Sequence, residues 1–147
     1  MEKKEYQLAE YRQRAVAAFI DYFLQAFFHV WFLMQFGKKT VLADGRPFYD
    51  IEGPLAAVPL IVWFITFPLL ESFEGKTLGK QLMKIRVIRM DGSRPDLLVT
   101  LKRRICDWID FALLGLPAII ISTNNPMRKR LGDSFAKTIV IKDISVA

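Results

Sequence analysis

From Ala15 to Phe36 the chain reads AVAAFIDYFLQAFFHVWFLMQF, with one formal charge, Asp21, inside it. As a helix this run is about 33 Å long at about 1.5 Å per residue, which matches a bilayer hydrocarbon core of about 30 Å. A second run, GPLAAVPLIVWFITFPLL over residues 53–70, stays uncharged up to Glu71 and contains Pro54, Pro59 and Pro68. Those prolines suit the start, a kink and the end of a membrane helix better than a soluble core helix. A third run, ICDWIDFALLGLPAIIIS over residues 105–122, is apolar apart from Asp107 and Asp110 and is broken by Gly115 and Pro117. The pattern predicts spanning helices at about residues 14–36 and 54–71. A third apolar segment at about 105–122 either spans or re-enters. A cleaved leader is the alternative for the first run, but its length, its internal Asp21 and the lack of a small-residue cleavage site favour an uncleaved anchor.

Between and after these runs the periodicity changes. IRVIRMDG at residues 85–92 and KTIVIKD at 137–143 are β-branched and strand-like, and the first closes on an Asp-Gly turn. Their pairing would place both on one side of the membrane. In GKTLGKQLMKI, residues 75–85, Lys76, Lys80 and Lys84 recur every fourth position while Leu78, Leu82 and Ile85 fall on another face. Such a basic amphipathic stretch suits an interfacial helix against anionic lipid headgroups, where each lysine contributes about 1 kcal/mol. The glycines at 75 and 79 superficially suggest a phosphate loop, but three residues separate them where that loop needs four. The membrane surface is therefore the expected partner, and nucleic acid is not.

Composition and charge add orientation. The 147 residues suffice for one domain, 52% of them are apolar, and the net charge is +6; the mean hydropathy is +0.23. Residues 74–104, a basic cytoplasmic segment on this reading, carry nine basic residues against Glu74, Asp91 and Asp96, whereas the 37–53 loop balances Lys38, Lys39 and Arg46 with Asp44, Asp50 and Glu52. The positive-inside rule then puts the long second loop and the N-terminus in the cytoplasm. The tail, 123–147, is also basic. A re-entrant third segment keeps both basic flanks inside, so two spans plus a re-entrant segment are favoured over three full spans.

A carboxylate near the middle of a membrane helix costs on the order of 2.5 to 3.5 kcal/mol on insertion scales. Asp21 therefore needs a partner or a purpose. Arg14 lies seven residues before it, nearly two turns, and Gln25 and His29 follow at four-residue steps, so the four form a polar stripe beside Ala17 and Ala18. Arg103 and Asp110 repeat the seven-residue spacing, with Asp107 one turn before Asp110. Cross-pairing of the two helices, arginine to aspartate, is one arrangement, and contact with a second copy is another. The stripe serves either as interhelical glue, at about 0.6 kcal/mol per contact, or as a protonatable carrier site at Asp21 or Asp110. A carrier with so few spans would need an oligomer to enclose a path.

Enzyme chemistry has little support. Cys106 is the only cysteine and His29 the only histidine, in different runs, so disulfides and zinc clusters are excluded. Cys106 reads as a small packed residue, Ser93 and Ser134 have no nearby base in sequence, and the tryptophans and Tyr22 read as membrane packing. No cofactor or metal is expected.

Four stretches in order, Arg14 with Asp21, GKTLGKQLMKIRVIRMDG, the RR-to-D segment from Arg103 to Asp110, and RLGDSFAKTIVI, are similar to the RDD family of small prokaryotic membrane proteins. The resemblance spans almost the whole chain. It implies that Arg14 and Asp21 are the family's arginine and first aspartate, and that the second is Asp110 or Asp133. Two positions depart from the family pattern: Asp107 stands where an arginine is more typical, and Lys137 where a glycine precedes the threonine. The implied architecture is a single α-helical integral membrane domain over residues 1–147 in the bacterial plasma (inner) membrane. The implied role is that of a transport-associated or assembly module, as a homo-oligomer or a subunit of a larger complex, with sodium/proton antiport proposed for some members.

Overall fold

The computed structural model describes residues 6–112 and 127–143, the side chains of 108–112 excepted. Helix α1, Tyr11–Phe36, has 26 residues, about 39 Å of rise, and begins at a capping box between Glu10 and Gln13. Helix α2, Gly53–Glu74, has 22 residues. Both are long and apolar enough to cross a membrane, yet only 17% and 11% of their most apolar windows are buried. A soluble core helix would show the reverse. On α1, Phe19, Phe23, Phe27, Val30 and Met34 form an exposed stripe, while Arg14, Ala17, Asp21 and Phe32 face inward.

Strands β1, Lys38–Val41, and β2, Pro47–Asp50, join the two helices as an exposed antiparallel hairpin. The helices therefore run in opposite directions, with Gln25 opposite Thr66. Helix α2 is built from three geometries. It starts as a 3₁₀ turn over Gly53–Ala57, continues as α-helix from Val58, and loosens to a π-helical turn over Ile65–Leu69. Pro68 sits in the π turn, where the longer hydrogen-bond span tolerates its missing N–H. Pro68 therefore does not end the helix. α-Helix resumes to Glu74 and stops at Gly75, which adopts φ +72 and donates its N–H to the Glu71 carbonyl at 2.8 Å.

Helix α3, Leu78–Leu82, leads into β3, Ile85–Arg89. Helix α4 spans Leu97–Ala112. It begins eight residues earlier than the apolar run suggests, because Asp96 caps it by accepting the Val99 N–H at 2.8 Å. The remainder of the third apolar segment, 113–122, lies outside the described residues. Helix α5, Leu131–Phe135, leads into β4, Thr138–Lys142. Strands β3 and β4 pair antiparallel, with Val87 opposite Val140 at the centre.

The last two units repeat each other. Residues 77–89, TLGKQLMKIRVIR, and 130–142, RLGDSFAKTIVIK, share Leu, Gly, Lys, Val and Ile at matching positions. Each is a five-residue helix, a lysine at φ 52 (Lys84 and Lys137), and a five-residue strand. Since Val87 and Val140 are equivalent and pair with one another, the two units are related by a local two-fold through that pair. Each glycine lets its short helix settle on the backbone of a long one. A Cβ on Gly79 would strike the Ala17 carbonyl of α1, and one on Gly132 would lie 2.9 Å from the Arg103 carbonyl oxygen of α4. The small core beneath the sheet gathers Ala9, Ala17, Ile85, Val87 and Val140.

Candidate functional site

The N-terminal end of α1, the C-terminal end of α2, and α3, α4 and α5 converge on a buried charge network. Glu71, fully buried in the last turns of α2, accepts from Arg103 Nε at 2.9 Å and Arg104 Nη2 at 2.6 Å, and forms an ion pair with Lys80. Arg103 also pairs with Asp133 and donates to Thr138 Oγ1 at 2.5 Å. Asp133 completes the line by pairing with Arg14, and accepts the Arg130 backbone N–H at 3.0 Å. The sequence of contacts is Lys80, Glu71, Arg103, Asp133, Arg14. Arg104 branches from Glu71 to Asp107 at 2.7 Å.

The ion pairs join four cations (Arg14, Lys80, Arg103, Arg104) to three carboxylates (Glu71, Asp107, Asp133), and the buried Asp21 lies beside them, held by neutral donors. Each charge in those pairs meets an opposite one, which matters because an unmatched buried charge is strongly destabilising. Burial pushes the Lys80 ammonium down to about 8, helped by the neighbouring Arg104 and Arg103 and opposed by Glu71. At Asp133 burial acts upward, but the Arg103 and Arg14 guanidiniums win and hold the carboxyl well below the usual carboxylate range. Burial alone would lower the Arg104 pKa, yet Glu71 and Asp107 raise it.

The π turn in α2 positions the network's apolar wall. It turns Phe67 inward, where its ring stacks on Tyr22 with centroids 5.3 Å apart and carries the Arg104 guanidinium at 4.7 Å from its centroid. The Pro68 carbonyl is occupied by the Thr100 hydroxyl at 3.0 Å. Tyr22 in turn donates its hydroxyl to Asp107 at 3.2 Å.

Asp21 plays a different part from that expected of it. Its inward placement on α1 is as the Arg14 spacing suggests, yet it does not pair with an arginine. It accepts the Thr77 hydroxyl at 2.5 Å and the Gly79 N–H at 2.7 Å, and so anchors the start of α3 to α1. Arg14 and Arg103, expected to meet the aspartates of each other's helices, both converge on Asp133, one of the two positions that the resemblance offers for the second aspartate. The side chain of Asp110 lies outside the described residues. Asp107 adds negative charge as expected, and Arg104, three residues before it, offsets that charge locally.

Gln25 continues the inward face and accepts the Thr66 hydroxyl at 3.2 Å. His29 does not. It is exposed, its Nδ1 lying 2.8 Å from the Gln25 carbonyl. Two four-residue steps advance about 80° around a 3.6-residue helix, which carries position 29 off the face of Asp21. The three lysines likewise part company. Lys80 turns inward to Glu71, Lys76 pairs with Asp143, and Lys84 is exposed. Headgroup contact is thereby withdrawn from Lys80, whose ammonium is spent inside the protein. Helix α3 is only five residues long, so a four-residue lysine period does not stay on one helical surface.

Glu71 and Arg104 were missed in the sequence, Glu71 because it reads as the boundary of an apolar run. The available signal was an acid three residues after a proline, inside the last turn before a Gly-Lys pair. Two cavities border Asp21 and Phe67. One, about 50 Å³, lies within the network among Arg14, Lys80, Arg104, Asp107 and Asp133; the other, about 120 Å³, lies between α1, α2 and Leu78 and is lined by Gln25, Phe28, Val62 and Thr66.

Two apolar helices of spanning length, tied at one end by a buried charge network, define a small membrane protein. The model of the RDD family matches residues 8–137, and the chain belongs to that family. No curated protein and no solved structure matches it.

Proposed function

We propose that this protein is a non-enzymatic module of the bacterial inner membrane, in which the charge network locks the spanning pair to the strands and short helices as one body that supports assembly or solute movement. The observation that carries this reading is the line from Lys80 through Glu71, Arg103 and Asp133 to Arg14, which joins α3, α2, α4, α5 and α1 within one copy of the chain. Groups that meet each other inside one chain are suited to clamping it. The exposed Arg12, Lys84, Lys102 and Lys137 gather with the network's elements, which supports a cytoplasmic placement of that end and of the N-terminus. The pairing of β3 with β4 supports the same side for both basic flanks. Anionic lipid headgroups are the nearest partners, and the exposed stripe on α1 offers a surface to lipid, to a second copy or to another subunit.

A second reading, a cation/proton antiporter acting as a homo-oligomer, is favoured by one feature: Asp21 and Phe67 line both cavities, so a carboxylate stands between a charged chamber and an intramembrane one. Proteoliposomes with an imposed pH gradient separate the readings. On the clamp reading, wild-type protein gives no sodium flux, and Asp21→Asn loosens the fold or disperses a complex on native gels. Sodium flux in wild type that Asp21→Asn abolishes with the assembly intact would establish the carrier.

A further inference from the structure

The two helix–turn–strand units share a surface feature that the charge network leaves unused. Helix α3 ends on Leu82, 69% exposed, and α5 ends on Phe135, 63% exposed. Two residues later each unit places an exposed lysine, Lys84 or Lys137, at φ 52, a left-handed conformation that side chains other than glycine rarely adopt. This turn takes the chain from helix to strand in one step. It leaves an exposed apolar tip and an exposed cation two residues apart in each of the two units.

The level of these tips in the molecule identifies what covers them. Leu78, one turn before Leu82, lines the cavity with Phe28 and Val62, which belong to the spanning helices, so α3 lies alongside the bilayer-crossing segments and not beyond them. Phe73, in the last turn of α2, is also exposed. In the second unit, α5 seats through Gly132 on Arg103 and Cys106 of α4, whose Leu98 and Ile105, seven residues apart on one face, are also exposed. Apolar tips near cations, the first on a helix packed along the spanning pair and the second on a helix seated on α4, match the boundary between acyl chains and anionic headgroups.

We propose that the two units form a two-pronged lipid anchor, with Leu82 and Phe135 entering the acyl–headgroup boundary and Lys84 and Lys137 holding anionic headgroups. This rests on the membrane placement given above and adds an anchor in the C-terminal basic segment, where sequence indicated only charge. It keeps Lys84 as a headgroup contact and adds Lys137, its equivalent in the repeat.

Single nitroxide labels in the full chain test it. In a Cys106→Ala background, Leu82→Cys, Phe135→Cys, Phe27→Cys and Arg86→Cys are labelled and reconstituted in vesicles of phosphatidylcholine with phosphatidylglycerol, and collision with oxygen is compared with collision with a water-soluble nickel chelate. Labels at 82 and 135 are expected to favour oxygen over nickel, both lying between the deep reference at 27 and the aqueous reference at 86. In phosphatidylcholine alone both should shift towards water; no shift would remove the headgroup half of the anchor. A label at 135 as aqueous as that at 86, with 82 still oxygen-rich, would overturn the second prong while leaving the membrane placement intact. Shielding of 135 from both reagents would assign that tip to a protein contact instead and also overturn it. An aqueous label at 27 would overturn the membrane placement itself.

Discussion

Lys80 and Asp133 stand at the same position in two copies of one helix–turn–strand unit, each directly after the glycine that seats its short helix, yet they carry opposite charges. The surroundings explain the difference. The first unit meets α2, whose end supplies Glu71, and the second meets α4 and the start of α1, which supply Arg103 and Arg14. The two sites are not equal in strength. Burial wins at Lys80 and pulls its ammonium down to about 8, while at Asp133 two guanidiniums overcome burial and hold the carboxylate ionised. A repeated backbone thus sets where a side chain is delivered, and its partners decide whether a charge there stabilises the fold. Asp133 is the clamp, and Lys80 chiefly balances Glu71.

The strongest way to break this comparison is Asp133→Asn, which leaves Arg14 and Arg103 short of their shared carboxylate. A loss of about 3–5 kcal/mol in thermal or denaturant unfolding in detergent micelles is expected, the range for removing one partner of a buried ion pair. The sign of its pH effect is also defined. The folded pKa lies below the unfolded value of about 3.9, so the stabilisation is complete above that value and lost as pH falls towards the folded one. The variant should show a shallower acid limb in melts taken below about pH 5.

Next in size are the seating glycines. Gly79→Ala drives a methyl into the Ala17 carbonyl and disturbs the Asp21 contact to the Gly79 N–H, so a cost at the upper end of the roughly 1–3 kcal/mol seen for overpacking is expected. Gly132→Ala meets the Arg103 carbonyl less severely and should cost about 1 kcal/mol. The same melts rank the pair, and the reverse order would show that the second unit is the more tightly seated.

The smallest effect belongs to Lys80→Met. Glu71 keeps Arg103 and Arg104, and a buried ammonium is replaced by an apolar chain, so stability at pH 7 should change by less than about 1 kcal/mol. Because the folded pKa of about 8 lies below the unfolded lysine value, the unfolded chain holds the extra proton between the two. Wild-type stability should therefore rise with pH from about 8 to about 10.4, and the variant should lose that rise. A cost for Lys80→Met equal to that of Asp133→Asn would end the asymmetry between the units.

Much of the architecture was legible along the chain, and the illegible part follows a rule. The two helices of spanning length show in the length of uncharged runs, and the β3–β4 pairing in two β-branched stretches, because both signals are local. Arg14, Asp21 and Arg103 announce themselves as charges in apolar surroundings, and all three are buried. The choice of partners was not legible. Arg14 and Asp133 are separated by 119 positions, and no spacing rule connects them. Glu71 looked like a boundary because the π turn at Pro68, which keeps the helix going and turns Phe67 inward, leaves no mark in a hydropathy pattern. His29 was misplaced by the drift of a four-residue step around the helix, and Lys80 by grouping it with Lys76 and Lys84, which lie outside the five-residue helix that carries it.

By itself, then, the amino-acid order determined that this is a membrane chain with two helices of spanning length, a strand pair and charges that must be buried, since hydropathy and periodicity depend on neighbours within a few turns. Only the tertiary structure decided that Asp21 anchors α3 instead of meeting an arginine, that Glu71 joins Lys80 to two arginines, and that Arg14 and Arg103 share Asp133. Burial raises the free-energy cost of any unpaired charge, but which charge relieves it depends on which elements pack together, and that is set by the glycine contacts and the π turn.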